Sequence, residues 1–150
     1  MGLRVKARHI PVRLSSGAFI LGSGLDKRSA DEQKAAQIHG FATAAYPMLK
    51  GIDPVSFVKL LSAGEIALGA ALLLPLVPTL LAGLGLTAFS AGLFGLYLRV
   101  PGMHREGSLS PTDAGLPIAK DVWLLGSGLG MVLDALTDGK PSAKTATDPS

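Results

Sequence analysis

The chain contains no cysteine. Its side chains therefore cannot supply a disulfide, a thiol nucleophile, a cysteine-ligated zinc or iron–sulfur centre, or the attachment of a c-type haem. Charged residues are also scarce, since Asp, Glu, Lys and Arg make up 17% of the 150 residues. Soluble domains usually carry about 25% of these residues, so the composition argues against an ordinary soluble fold.

Apolar residues are abundant and are gathered in long runs. They make up 48% of the chain, and the mean hydropathy is +0.41. Short charged segments separate the runs, which is the distribution typical of a membrane protein. The net charge of +3 does not indicate nucleic acid, because the basic residues are scattered and flank the apolar runs. We therefore expect the lipid bilayer as a partner and no nucleic acid.

Four of these apolar runs predict an all-α fold, an integral membrane four-helix bundle. The predicted spans cover residues 10–25, 54–74, 79–98 and 116–136, of which the first is the weakest. Asp53-Pro54 supplies an N-cap and a proline at the first helical position of the second span. Residues 1–138 then form one four-span domain, and the small, polar residues 139–150 form a disordered tail.

Residues 29–46 predict a short amphipathic helix between the first two spans. Ser29 and Glu32 have the spacing of a capping box, apolar residues follow near helical spacing, and Pro47 would end the helix. Raw counts of basic residues do not decide the orientation of the chain. The basic cluster ahead of the first span favours the cytoplasm for both termini, which places the amphipathic helix on the extracytoplasmic side.

One acidic residue, Glu65, lies inside the second predicted span. A charged side chain at that depth costs roughly 2.5 to 3.5 kcal/mol on insertion scales, so Glu65 should face the bundle interior and find a basic partner, or be protonated. Arg13 lies on the opposite half of the membrane and is the poorer candidate. On the same half lie Lys27, His39, Lys59, Lys120 and Asp121. Two interpretations stay open: a buried pair that fixes helix register, and a polar pocket for a headgroup, a quinone or a proton.

Small residues recur every four positions on the predicted spans and predict close helix contacts, because helices in lipid associate by close backbone approach. These stripes are Ala63, Ala67 and Ala71; Gly83, Thr87, Ala91 and Gly95; and Gly126 and Gly130.

The histidines argue against a haem site. His9, His39 and His104 all lie outside the predicted spans, so the facing pair of ligands that a membrane b-type haem needs is missing. The sequence also contains no phosphate-binding glycine loop, no carboxylate–histidine metal spacing and no Ser-His-Asp set. We therefore predict no catalytic and no metal-binding residues. The sequence does not exclude a bound quinone as the cofactor.

Three motifs follow one another along the chain: a first helix led by Arg that ends Gly-x-x-Lys, a second helix that carries Glu among apolar residues, and a last helix that opens with Lys-Asp. They are Gly24-Leu25-Asp26-Lys27 behind Arg13, Gly64-Glu65-Ile66-Ala67-Leu68-Gly69, and Lys120-Asp121-Val122-Trp123. In this order they resemble the DoxX family of small four-helix bacterial integral membrane proteins, over about residues 8 to 136.

The resemblance implies a multi-pass protein of the bacterial plasma membrane with an intramembrane polar cluster of Lys27, Glu65, Lys120 and Asp121. It also implies an accessory or scaffold subunit of a membrane-associated oxidoreductase or respiratory assembly, bound to other membrane protein subunits. The alternative is a quinone- or lipid-binding redox protein that uses the Glu65 cluster. Enzyme activity of the chain itself is not indicated, because no complete catalytic constellation is present.

Overall fold

Helices make up the regular structure of residues 5–138, the part of the chain that the computed structural model describes, and no strand forms in that range. The α-helices are α1 (Ile10–Arg28), α2 (Glu32–Ala45), α3 (Pro54–Leu73), α4 (Thr79–Arg99), α5 (Leu116–Ala119) and α6 (Val122–Thr137). Two 3-10 helices, Ala7–His9 and Pro47–Gly51, precede α1 and follow α2. The prediction of an all-α fold is confirmed. The predicted tail, 139–150, lies outside the described residues.

Three helical segments are long and apolar enough to cross a membrane. They are Pro54–Leu73, Thr79–Arg99 and Leu116–Thr137, with 20, 21 and 22 residues. At about 1.5 Å per residue each reaches roughly 30 Å, the thickness of the hydrocarbon layer. Only 17% to 28% of their most apolar windows is buried within the chain, so most of this apolar surface faces outwards. The helix α1 is not among the three, because charged residues lie near both of its ends.

Local sequence signals explain where α2 and α3 begin. The carboxylate of Asp53 accepts a hydrogen bond from the Ser56 N–H at 3.0 Å, so α3 begins where the sequence predicts. The N-cap of α2 is Asp31, whose carboxylate accepts from the Lys34 N–H at 2.7 Å. The predicted capping box at Ser29 is wrong, because Ser29 instead forms the C-cap of α1. An aspartate directly before the helix therefore supplies the cap that the sequence placed two residues earlier.

The fourth predicted span is interrupted near its beginning. The helix α5 ends at Ala119 and α6 begins at Val122, so the apolar segment is built from two helices rather than one. In between, the N–H of Asp121 donates to the carbonyl of Ile118 at 3.0 Å. This short-range bond tightens the chain into a turn, which places Asp121 at the start of α6.

The helices associate as two close pairs, α1 with α3 and α4 with α6. A Cβ atom on Gly69 of α3 would lie 2.6 Å from the backbone nitrogen of Leu21 in α1. In the second pair, a Cβ atom on Gly128 would lie 2.6 Å from Oγ1 of Thr87. Real Cβ atoms essentially never come this close to another atom, so these approaches need glycine.

Contacts between the two pairs are much sparser than contacts within them, and α2 packs across α3 and α4. The pairs meet at a core in which Ile20, Leu72 and Leu86 are 0% exposed. Beyond that core the pairs separate and leave a space that α2 partly covers. The candidate site lies in this space.

Candidate functional site

Lys27 of α1 and Glu65 of α3 form an ion pair. The Nζ of Lys27 donates to Oε2 of Glu65 at 3.1 Å and to Oγ of Ser23 at 2.6 Å. Glu65 is 3% exposed, and the Lys27 side chain is 20% exposed. Among the basic residues that the sequence left open as partners of Glu65, the structure therefore brings Lys27 to it.

The close approach of α1 and α3 sets the position of this ion pair. A Cβ atom on Gly24 would lie 2.9 Å from the Cβ of Glu65, so glycine is needed where the two helices meet. The buried hydroxyl of Ser62 donates to the carbonyl of Gly24 at 2.7 Å. This neutral hydrogen bond and the ion pair fix the same register of α1 against α3, and Ser62 lies about one helical turn from Glu65.

A cavity of about 470 Å³ adjoins the ion pair between the two helix pairs. Its walls are mainly apolar and include side chains from α1, α2, α3 and α4, whereas Ser23, Lys27 and Glu65 form a polar patch. Such a cavity can enclose an apolar body and offer hydrogen bonds to one polar group. The aromatic part of the wall is Phe19, Phe41, Phe57 and Phe89, with Tyr46 beside it.

Asp121 is the second carboxylate on the cavity wall. It is half-buried at the start of α6 and, within residues 5–138, forms no salt bridge. The cavity therefore has one ammonium group, from Lys27, and two carboxyl groups, from Glu65 and Asp121. In the described part of the chain, no group of three or more His, Asp and Glu residues could hold a metal ion.

The other residues of the predicted cluster lie elsewhere. Lys120 is exposed and is not part of the cavity lining, although it precedes Asp121 directly. Lys59 is exposed and lines a different groove on α3. The Nε2 of His39 lies 3.0 Å from the carbonyl oxygen of Leu49 and so joins α2 to the 3-10 helix that follows it. Of the four residues proposed as a polar cluster, three share the cavity and Lys120 does not.

No protein-family model, curated protein or solved structure matches this chain. The resemblance to the DoxX family therefore depends on the three sequence motifs. One residue from each of these motifs, Lys27, Glu65 and Asp121, lies on the wall of the cavity.

Arg13 is a buried charged residue whose role the sequence reasoning missed. It is 3% exposed, and it lies at the opposite end of α1 from Lys27. Its guanidinium donates to carbonyl groups at the end of α3 and in the turn before α4, where the end of the helix leaves carbonyl groups short of N–H partners. The acceptors are the carbonyl oxygens of Ala71 at 2.9 Å, Leu72 at 2.8 Å, Leu74 at 2.8 Å and Val77 at 3.2 Å.

A proline explains why an arginine is needed there. An N–H at position 75 would normally bond the carbonyl of Ala71, but Pro75 has no N–H. Arg13 donates to this carbonyl group, whereas the carbonyl of Leu74 accepts from both Arg13 and the N–H of Val77. The position of Pro75 relative to α3 was the signal available in the sequence.

A second polar cluster joins the start of α1 to the end of α6. The Nε2 of His9 lies 2.8 Å from Oδ2 of Asp134, and its Nδ1 lies 3.4 Å from Oγ1 of Thr79 at the start of α4. Arg8 donates to both carboxylate oxygens of Asp134 at 2.8 Å. These bonds hold the ends of three helices together at the end of the molecule opposite the Lys27–Glu65 pair.

Proposed function

We propose that this protein is an integral membrane protein that binds a quinone or a lipid in the cavity beside Lys27 and Glu65. The observation that carries the proposal is a buried ion pair facing a cavity of about 470 Å³ whose other walls are mainly apolar. Sites for small molecules are typically mostly apolar, with volumes of roughly 300–1,000 Å³ and a few polar groups that set orientation. A pair that only fixed helix register would need no such space beside it.

The residues of the cavity fit a quinone head group. The ammonium of Lys27 can donate a hydrogen bond to a quinone carbonyl while it remains paired with Glu65, and the rings of Phe57 and Phe89 can pack against the quinone ring. The quinone, when bound, would supply the electron-transfer chemistry. The chain would bind and orient it, and the carboxyl groups of Glu65 and Asp121 could accept or donate a proton beside it.

The exposed rim of the cavity supports access from the bilayer. Phe19 and Phe41 line the cavity and are also 59% and 49% exposed. In a membrane protein such exposed apolar side chains face lipid, so the opening between α1 and α2 would lie within reach of acyl chains. A ligand that is dissolved in the bilayer could then reach Lys27 without crossing water.

The proposal includes α1 as a fourth span of a bundle in the bacterial plasma membrane. Support comes from the close packing of α1 along α3 and from the four hydrogen bonds of Arg13, which lower the cost of a charge in lipid. The contact between Arg8 and Asp134 puts the start of α1 and the end of α6 at one end of the bundle. We assign that end to the cytoplasm and α2 to the opposite surface.

The experiment is to purify the protein in mild detergent and to quantify extracted quinone and lipid per protein chain by mass spectrometry. The variant Gly92→Leu would fill the cavity from α4, because a Cβ atom at Gly92 meets nothing within 4 Å. Gly22→Leu is the matched control, since Gly22 is also open but lies outside the cavity lining. We expect Gly92→Leu to retain less quinone or lipid per chain than the wild type and Gly22→Leu, which should retain equal amounts. Equal retention by both variants, or no ligand in the wild type, would contradict the proposal.

A second candidate function is the accessory subunit of a membrane oxidoreductase that the DoxX resemblance implies. The observation that favours it is the outer face of α6, where Gly126 and Gly130 are exposed and a Cβ atom on either meets nothing within 4 Å. Small residues four positions apart allow another transmembrane helix to approach closely. Native purification should then recover partner subunits with the wild type and lose them with Gly126→Leu. Recovery of the wild type alone would contradict this role.

A further inference from the structure

A groove on the α1–α3 pair has a different chemistry from the central cavity. Its volume is about 550 Å³, and it shares no lining residue with the central cavity. Two cationic side chains and a short apolar surface line it. The lining residues are Arg28, Lys59, Ser62, Ala63, Ile66 and Ala67.

The two cations lie at the same end of the groove. Arg28 is the last residue of α1, and Lys59 is in the second turn of α3, which runs back along α1 from that end. Both are exposed and, among residues 5–138, neither forms a salt bridge. The hydroxyl of Ser62 is already bonded to Gly24. Two positive charges without an acidic partner attract an anion, and arginine can bind the oxygens of a phosphate group with two parallel hydrogen bonds.

The apolar part of the groove continues from the cations towards the middle of α3. Ala63 and Ala67 follow Lys59 by four and eight residues, so they lie below it on one face of the helix, over about 12 Å. Both alanines are exposed, and their small side chains leave a shallow channel beside Ile66. A channel of this length fits a segment of an acyl chain, whereas a free anion would use only the cationic end.

We propose that this groove binds an anionic phospholipid, with the phosphate between Arg28 and Lys59 and an acyl chain along Ala63 and Ala67. The charge of the site selects the anionic headgroup, and the channel selects a lipid over free phosphate. The site does not depend on the proposed ligand of the central cavity, since the two share no residue.

The headgroup is tested by native mass spectrometry of the protein released from nanodiscs that contain phosphatidylcholine and phosphatidylglycerol. The variant R28Q/K59Q removes both cations, and K34Q/K50Q removes two exposed lysines from the connection between α1 and α3. Each basic residue near a membrane surface strengthens binding of anionic lipid roughly fivefold, so R28Q/K59Q should retain about thirtyfold less phosphatidylglycerol than wild type. K34Q/K50Q should retain as much as wild type. Equal losses in the two double variants would overturn the proposal, because they would indicate diffuse attraction.

The acyl-chain channel is tested separately. Ala67→Phe would fill the channel without changing its charge, and Ala91→Phe adds the same ring to an exposed position on α4. Retained phosphatidylglycerol should fall with Ala67→Phe and stay unchanged with Ala91→Phe. Excess inorganic phosphate should not displace the bound lipid from the wild type. Unchanged retention with Ala67→Phe, or displacement by phosphate, would overturn the assignment of the groove to a lipid.

Discussion

The guanidinium of Arg13 donates a hydrogen bond of 2.9 Å to the carbonyl oxygen of Ala71, the group that Pro75 cannot serve. This contact joins α1 to the end of α3. It shows how a charged residue can be kept inside an apolar fold, since Arg13 donates to backbone carbonyl groups where a helix ends and a proline removes an N–H.

The first prediction concerns Arg13. Arg13→Leu should lower the free energy of unfolding by about 3 kcal/mol or more, because hydrogen bonds to a charged group contribute about 1.5–3 kcal/mol each and the carbonyl groups of Ala71 and Leu72 would lose their donor. The stability of Arg13→Lys should lie between those of Arg13→Leu and the wild type, because an ammonium cannot reproduce the planar arrangement of N–H donors in a guanidinium. Unfolding in detergent with increasing denaturant measures both. A Lys variant as stable as wild type would contradict the capping role.

The second prediction compares the two members of the central ion pair. Lys27→Met should destabilise the fold by about 3 kcal/mol, because it leaves a carboxylate, 3% exposed, without its partner. Glu65→Gln should cost less, since the remaining ammonium is more exposed and keeps its bond to Ser23. Denaturant unfolding of the two variants in detergent measures which one loses more free energy of unfolding. A larger loss for Glu65→Gln would mean that the buried carboxyl is not held as an anion by Lys27.

The third prediction concerns the contact between α1 and α3. Gly69→Ala should force the helices apart and destabilise the fold by roughly 3 kcal/mol, as overpacking in a tight interface does. Gly64 provides the control, because a Cβ atom there meets nothing within 4 Å. Gly64→Ala should be neutral or stabilising by up to about 1 kcal/mol, since alanine is the better helix former. Similar thermal stability of the two variants would show that the helices do not approach as closely as described.

The burial of Glu65 could be predicted from the sequence, but its partner could not. A carboxylate within an apolar run must face the interior of the fold, and this follows from solvation energy alone. Choosing Lys27 over Lys120 requires the packing of α1 against α3, which depends on the contacts at Gly24 and Gly69. Those glycines resemble many others in this chain, so the sequence pattern does not single them out.

The stripes of small residues likewise do not show, from the sequence alone, which residues make the close helix contacts. Gly83 does pack against α6, where a Cβ atom would lie 3.0 Å from the Cβ of Met131. On α6 itself the close contact is made by Gly128, whereas the predicted pair of Gly126 and Gly130 is open. Spacing every four residues identifies a helix face, but the neighbouring helix decides which face is used. The role of Arg13 was missed for a related reason, because its acceptors are backbone carbonyls and not side chains.

Photolabelling with a membrane-soluble quinone that carries a photoreactive group, followed by mapping of the labelled peptides, tests directly whether the cavity binds a quinone. We expect labels on the cavity walls, in residues 57–65 of α3 and 88–96 of α4, that disappear with excess unlabelled quinone and with Gly92→Leu. Labels confined to the outer face of α6, or labels that excess quinone does not displace, would contradict a specific ligand beside Lys27 and Glu65.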